Sequence, residues 1–162
     1  MYAFRNIVFG AVIGALASGL TATAVQAAPD ASSIARGKYL VRIAGCNDCH
    51  TPGYAPSGGK VPEKDWLTGD ALGWRGDWGT TYAANLRLKL QDMTEAQWVK
   101  TAKSAQYRPP MPWFALHDMT EQDLRAIYRY VRQLGPAGQP APAYVPPGKE
   151  PQGPYVQFPK AP

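Results

Sequence analysis

The sequence predicts an all-α domain whose three main helices and long loops wrap around one non-protein group, followed by an extended tail rich in proline. Three observations predict it. Three stretches carry apolar residues at helical spacing behind recognisable N-caps. Between the first two lies a run from Thr51 to Ala84 without periodicity but with Trp66, Trp74, Trp78 and Tyr82. A loop that long inside a compact domain needs something to wrap around. Sixteen glycines and sixteen prolines leave little room for long regular elements, so the protein core is small and a cofactor would help to fill it.

The N-terminal segment stands apart from that fold. Arg5 is the only charged residue before Asp30, the run IVFGAVIGALASGL is apolar, and TATAVQAA follows it with small residues. This order predicts a secretory signal peptide over 1–27, cleaved after Ala27, and hence a periplasmic protein. The same segment would act as a membrane anchor if it were retained. The chain then divides into a domain over 28–135 and a tail over 136–162. Without Arg5, sixteen basic and twelve acidic residues remain, a net charge of about +4. No basic run or arginine stripe is present, so nucleic acid is not an expected partner.

The first helix is expected to start behind Ser32 or Ser33, to bury Ile34, Tyr39, Leu40 and Ile43 on one face, and to end at Gly45. The second and third open with nearly the same words, QDMTEAQWVKTAK and HDMTEQDLRAIYRYVRQLG. Thr94 and Thr120 are placed as N-caps, with Gln97 completing a capping box and Asp123 a shorter acidic variant of one. Met93 and Met119 precede the caps, where each can pack on the residue four beyond its cap, Trp98 or Leu124, as a hydrophobic staple. The third helix stops at Gly135-Pro136. The tail beyond it lacks apolar periodicity, reads as extended surface chain, and is expected to be dispensable for cofactor binding.

Chemistry concentrates in GCNDCHTPG, residues 45 to 53. A redox dithiol belongs at a strand-to-helix junction of an α/β pattern, which is absent around it. A closed zinc site needs four ligands, and beyond the signal segment the whole supply of Cys and His is Cys46, Cys49, His50 and His117. Adjacent residues seldom both reach one small ion. Haem attachment fits best: two thiols add to the two vinyl groups of one porphyrin, and His50 follows directly as proximal ligand of the iron. The expected cofactor is therefore one covalent haem c, held by Cys46 and Cys49. Its sixth ligand is sought among His117, Met93, Met111 and Met119. Two methionines are accounted for as staples and His117 stands just before a helix start. Met111, in YRPPMPWFA, sits in a loop stiffened by Pro110 and Pro112 and has no other evident duty.

With these residues the chain resembles the single-haem class I cytochromes c. The resemblance rests on GKYLVRIAGCNDCH, TTYAANL and MPWFALHDMTEQDLRAIYRYVRQL, and covers roughly residues 33–134. It is nearest to the cytochrome modules associated with bacterial periplasmic alcohol, aldehyde and sugar-acid dehydrogenases. The resemblance implies first and last helices crossing beside the haem, with Gly37 as the close contact to Ile127 and Tyr130. It implies Tyr82 and Asn85 near the haem propionates and, for the His50 ring, a backbone carbonyl between Thr51 and Glu63, Pro62 being the expected one. Trp74 and Arg75 are chemically suited to propionates, an indole offering one N–H and a guanidinium pairing with carboxylate. Relatives often read NLTP where this chain reads NLRLKL.

The expected function is single-electron transfer, with no acid, base or nucleophile, between redox partner proteins: a dehydrogenase as donor and an oxidase or another cytochrome as acceptor. Two further readings stay open. One is a fixed electron-transfer subunit of a dehydrogenase complex. The other is a haem enzyme or sensor whose sixth position is free.

Overall fold

A computed structural model describes Met1 and residues 30–160. The signal segment and its cleavage point lie outside the described residues. Among those described, no helix is long and apolar enough to cross a membrane.

The chain runs α1 (Ala31–Ile43), α2 (Cys46–His50), a single 3-10 turn at Glu63–Asp65, β1 (Gly73–Gly76), β2 (Gly79–Tyr82), α3 (Leu86–Lys89), α4 (Glu95–Ser104), α5 (Trp113–Asp118), α6 (Glu121–Leu134) and β3 (Tyr155–Gln157). The three expected helices are α1, α4 and α6. The all-α expectation needs correction in one respect, because a three-stranded sheet in the order β2-β1-β3 accompanies the helices.

Helix α1 starts two or three residues earlier than expected, at Asp30, whose Oδ1 accepts the Ser32 N–H at 2.8 Å. A carboxylate is also the better cap, since it carries charge at the positive end of the helix dipole. The buried face is Gly37, Leu40 and Val41, while Tyr39 and Ile43 are exposed at 51% and 60%. Gly37 decides that orientation. A Cβ there would lie 2.1 Å from the Ala126 carbonyl oxygen and 2.7 Å from the Tyr130 Cβ. The two helices thus meet backbone to backbone, with Ala126 where Ile127 was expected, and this fixes which side of α1 faces inward.

The matched helix starts differ in detail. At α4 the capping box is complete: Thr94 Oγ1 accepts the Gln97 N–H at 3.2 Å and Gln97 Oε1 accepts the Thr94 N–H at 2.8 Å. At α6 Thr120 Oγ1 accepts the Asp123 N–H at 3.1 Å, but the Asp123 carboxylate turns away to Arg36 of α1 at 2.9 Å. One carboxylate so ties the two crossing helices together instead of closing a box. Helix α6 then buries Leu124, Ala126, Ile127, Tyr130 and Val131 against Leu40 and Val41 of α1 and Trp98, Val99 and Ala102 of α4.

Arg87, in the NLRLKL segment, has a role that sequence reading missed. It is only 4% exposed, and its guanidinium donates to the carbonyls of Leu134 and Gly135 at the end of α6 and to that of Lys64 at 3.0 Å. Terminal helix carbonyls have no partner within the helix and carry the negative end of its dipole, so a buried cation there satisfies both. Burial pulls the Arg87 pKa down, and the nearby Tyr130 and Asp65 offset this only in part. Arg87→Met should cost about 2 kcal/mol, since it strands buried carbonyls while keeping most of the side-chain volume. Denaturant midpoints read this, and an unchanged midpoint would show that water replaces the guanidinium.

The tail is not a loose surface extension. Strands β1 and β2 form an antiparallel hairpin, and β3 pairs parallel with β1 on its other side. Val145 exchanges both backbone hydrogen bonds with Thr80, at 2.8 and 3.0 Å. Phe158 packs on Trp74 and Trp78, with ring centroids 6.1 and 5.2 Å away. The aromatics of the loop after α2 are thus matched from the far end of the chain. Strands of three or four residues, two of the three beginning on glycine, are too short to show a period.

Candidate haem site

Gly45 takes a left-handed conformation, φ 69°, and turns the chain from α1 into α2, the short helix that carries the CNDCH motif. The motif is pinned from behind. Asn47 is fully buried, its Oδ1 accepts from Thr51 Oγ1 at 2.8 Å, and Thr51 Oγ1 in turn accepts the Leu67 N–H at 2.8 Å. The His50 carbonyl accepts the Gly69 N–H at 2.8 Å. Nothing in the spacing of the motif marks Asn47 for this role.

His50 is buried, and its Nδ1–H donates to the Ala84 carbonyl at 2.7 Å. This bond leaves Nε2 as the lone-pair nitrogen and holds the ring in one orientation. The partner is a backbone carbonyl, as expected, but not one from residues 51–63. The Pro62 carbonyl is instead taken by the Asp65 N–H at 2.9 Å, and the hairpin brings Ala84 back beside α2. Desolvation lowers the His50 pKa, which favours the neutral ring that a ligand to iron must be. Desolvation also pushes the Cys46 thiol up to about 11 and raises that of Cys49. A redox dithiol works through a thiolate of lowered pKa, so these shifts run against that reading. Among the described residues no three His, Cys, Asp or Glu side chains gather to hold a metal ion on their own.

Beside α2 lie two adjoining cavities of about 230 and 130 Å³. They share His50, Ala84, Tyr107 and Met111, which makes them the two halves of one slot. Cys49 lines the first half and Cys46 the second. The second half is walled by Val41, Leu67, Leu90, Leu116, Ile127 and Val131, an apolar lining drawn from α1, α5, α6 and the loops between. Met111 therefore stands with His50 along the whole slot. Met119 reaches only the apolar half, and Met93 lines neither. His117 is turned away, its Nε2 bonded to the Ala105 carbonyl at 3.0 Å and its ring against Trp113.

The first half is more polar. Trp74 and Tyr82 line it, and the Trp74 Nε1–H is buried without a hydrogen-bond partner among the described residues. A buried donor left alone costs about 1–3 kcal/mol, so this N–H fits a site built to meet an acceptor that the protein itself does not supply. A porphyrin, flat and apolar with carboxylates on one edge, matches a slot that is apolar in one half and carries an orphaned donor in the other. Two of the expected propionate residues sit elsewhere. Arg75 faces the tail, donating to Glu150 Oε1 at 2.6 Å and to Tyr155 at 3.2 Å, because the tail running into β3 carries both acceptors to it. Asn85 caps α3 through the Leu88 N–H at 3.0 Å, and its Nδ2 donates to the carbonyls of Ala137 and Gln139 at 2.8 and 3.1 Å. Neither Arg75 nor Asn85 lines either half of this slot.

The family model for cytochrome c matches residues 34–135, more than half of the chain and all of the slot except its tail residues. The chain belongs to the cytochrome c family. No curated protein and no solved structure matches it. As a member of the cytochrome c family it carries covalently bound haem c with iron, for which Cys46, Cys49 and His50 supply the CxxCH motif. Family membership also implies the helical class I fold, here with its added sheet, and haem-based electron transfer in place of an enzymatic reaction.

Proposed function

We propose that the protein is a periplasmic one-electron carrier with a single haem c between His50 and Met111, serving a periplasmic dehydrogenase as donor and an oxidase or another cytochrome as acceptor. The observation that carries this reading is the position of Met111, the one methionine of the described residues that lines both halves of the slot together with His50. Bound haem supplies reversible one-electron exchange, and thioether ligation raises its potential. The chain does the rest. The Ala84 carbonyl fixes the His50 tautomer. The second half is walled mainly by aliphatic side chains, which favours an apolar macrocycle. A net charge of about +4 on the exported chain favours an acidic partner surface.

The ferric protein should show the weak far-red sulfur-to-iron band. Met111→Ala should abolish it, lower the midpoint potential and admit cyanide or, in the reduced state, carbon monoxide. Met119→Leu is the demanding control, because Met119 shares the apolar half, and it should keep the band, as should Met93→Leu. A band that survives Met111→Ala but is lost in Met119→Leu would move the ligand to the start of α6.

A further inference from the structure

The polar half of the slot is completed by parts of the chain that lie outside the match to the cytochrome c family. Pro142 and Tyr144, both in the tail, line it together with Arg108, which stands just before the Pro109-Pro110-Met111 segment. The Arg108 guanidinium lies 3.9 Å from the centre of the Tyr144 ring. That is a close cation–π contact between an exposed arginine and a half-buried ring. Among the described residues Arg108 is the one permanently charged side chain lining this half. Arg75, the other cation of the hairpin side, is already held by Glu150.

Tyr144 is itself firmly placed. Its hydroxyl donates to the Trp78 carbonyl at 2.7 Å, and the next residue, Val145, exchanges two backbone hydrogen bonds with Thr80. Gly79 allows this approach: a Cβ there would lie 2.4 Å from the Val145 carbonyl oxygen and 3.0 Å from the Tyr144 ring, at a backbone φ of 94°. Further along, the Arg75–Glu150 pair, β3 on β1, and Phe158 on the two tryptophans fasten the tail at three more points. So much fastening, with one ring ending against a cation in the slot, exceeds what a surface linker needs.

We propose that the tail is a working wall of the haem slot, and that Tyr144 is a positioning residue that holds Arg108 where, with the Trp74 N–H, it meets the haem carboxylates. The inference rests on the haem reading above and adds to it a role for residues 140–145. The physical argument is charge placement. The carboxylates are the only anionic groups on the porphyrin periphery, and the half that offers a guanidinium and an unpartnered indole N–H is where they are stabilised. A cation held there disfavours the oxidised, more positive cofactor, so it raises the potential. Arg108 is exposed, and the stacked ring limits how far its guanidinium can swing away from the slot.

The test uses the full-length holoprotein and reads the oxidised-to-reduced ratio at a fixed solution potential. Arg108→Gln should raise that ratio about tenfold, equivalent to about 59 mV for one electron. Tyr144→Leu should raise it about threefold, and Tyr144→Phe, which keeps the ring, should stay near wild type. The Tyr144→Leu, Arg108→Gln double variant should go no further than Arg108→Gln alone, as groups acting through one another are not additive. In all four the far-red band should persist, which separates this test from the axial assignment. A Tyr144→Leu ratio equal to wild type, or an additive double variant, overturns the positioning role. An Arg108→Gln ratio equal to wild type overturns the whole proposal even if the protein is a normal haem carrier. If Tyr144→Leu disturbs the fold of the tail, Tyr144→Phe against Arg108→Gln still decides it, because a Phe variant shifted as far as Arg108→Gln contradicts the role of the ring.

Discussion

Haem is expected to stay with the wild-type protein through acid-acetone extraction and denaturing electrophoresis, and to be released completely from the Cys46→Ser, Cys49→Ser double variant. The two thiols lie on one short helix and open into the two halves of one slot, so each can form its own thioether to the same porphyrin. Each single variant should therefore keep its haem through the remaining bond. His50 and the apolar walls are untouched in the double variant, and some haem should still associate without a covalent link. Staining for haem after electrophoresis checks the result. Wild-type protein that gives up its haem under these conditions would sink the thioether assignment, whatever the optical spectrum in native buffer.

Replacing Gly37 by valine should cost at least about 3 kcal/mol, enough to remove much of the stability of a small domain. Glycine within a helix is worth about 1 kcal/mol less than alanine, so its presence needs a compensating contact. That contact is the Ala126 carbonyl, which a Cβ would approach to 2.1 Å. A side chain in the way could turn aside, but a carbonyl inside α6 can move only if the whole helix moves. Separating α1 from α6 would loosen Val41, Ile127 and Val131, all of which wall the apolar half of the slot. The variant should thus show a lower denaturation midpoint and also take up exogenous ligands faster. A midpoint at or above wild type would mean that the helices cross more loosely than the structure has them.

The parts of the protein legible in sequence are those in which the interacting groups are neighbours along the chain. Thr94 and Gln97 are three residues apart, and their capping box can be read off the letters. The CxxCH motif is legible because one porphyrin demands two thiols and an imidazole at fixed short spacing. Helix α6 is legible because its buried residues recur at 3.6-residue spacing. Met111 is singled out in the sequence as the expected sixth ligand by elimination, and it lines both halves of the slot with His50.

Tertiary structure decided whatever joins residues distant in the chain. The His50 ring meets Ala84, 34 positions on, only because a hairpin too short and too glycine-rich to show periodicity turns the loop back. Arg87 looks like a surface arginine in NLRLKL until the carbonyl ends of α6 arrive beside it from 47 and 48 residues away. Arg75 has the chemistry for a haem carboxylate, yet Glu150, 75 residues later, reaches it first, while Arg108 comes to stand in the slot. The tail carries no apolar period because it contributes single residues, Pro142, Tyr144 and Phe158, to a surface formed by other segments. Local hydrogen bonds and covalent spacing are properties of short words in the sequence. Which cation finds which anion, and which carbonyl a ring finds, depends on the path of the whole chain, since charge and desolvation act through space and take no account of residue number.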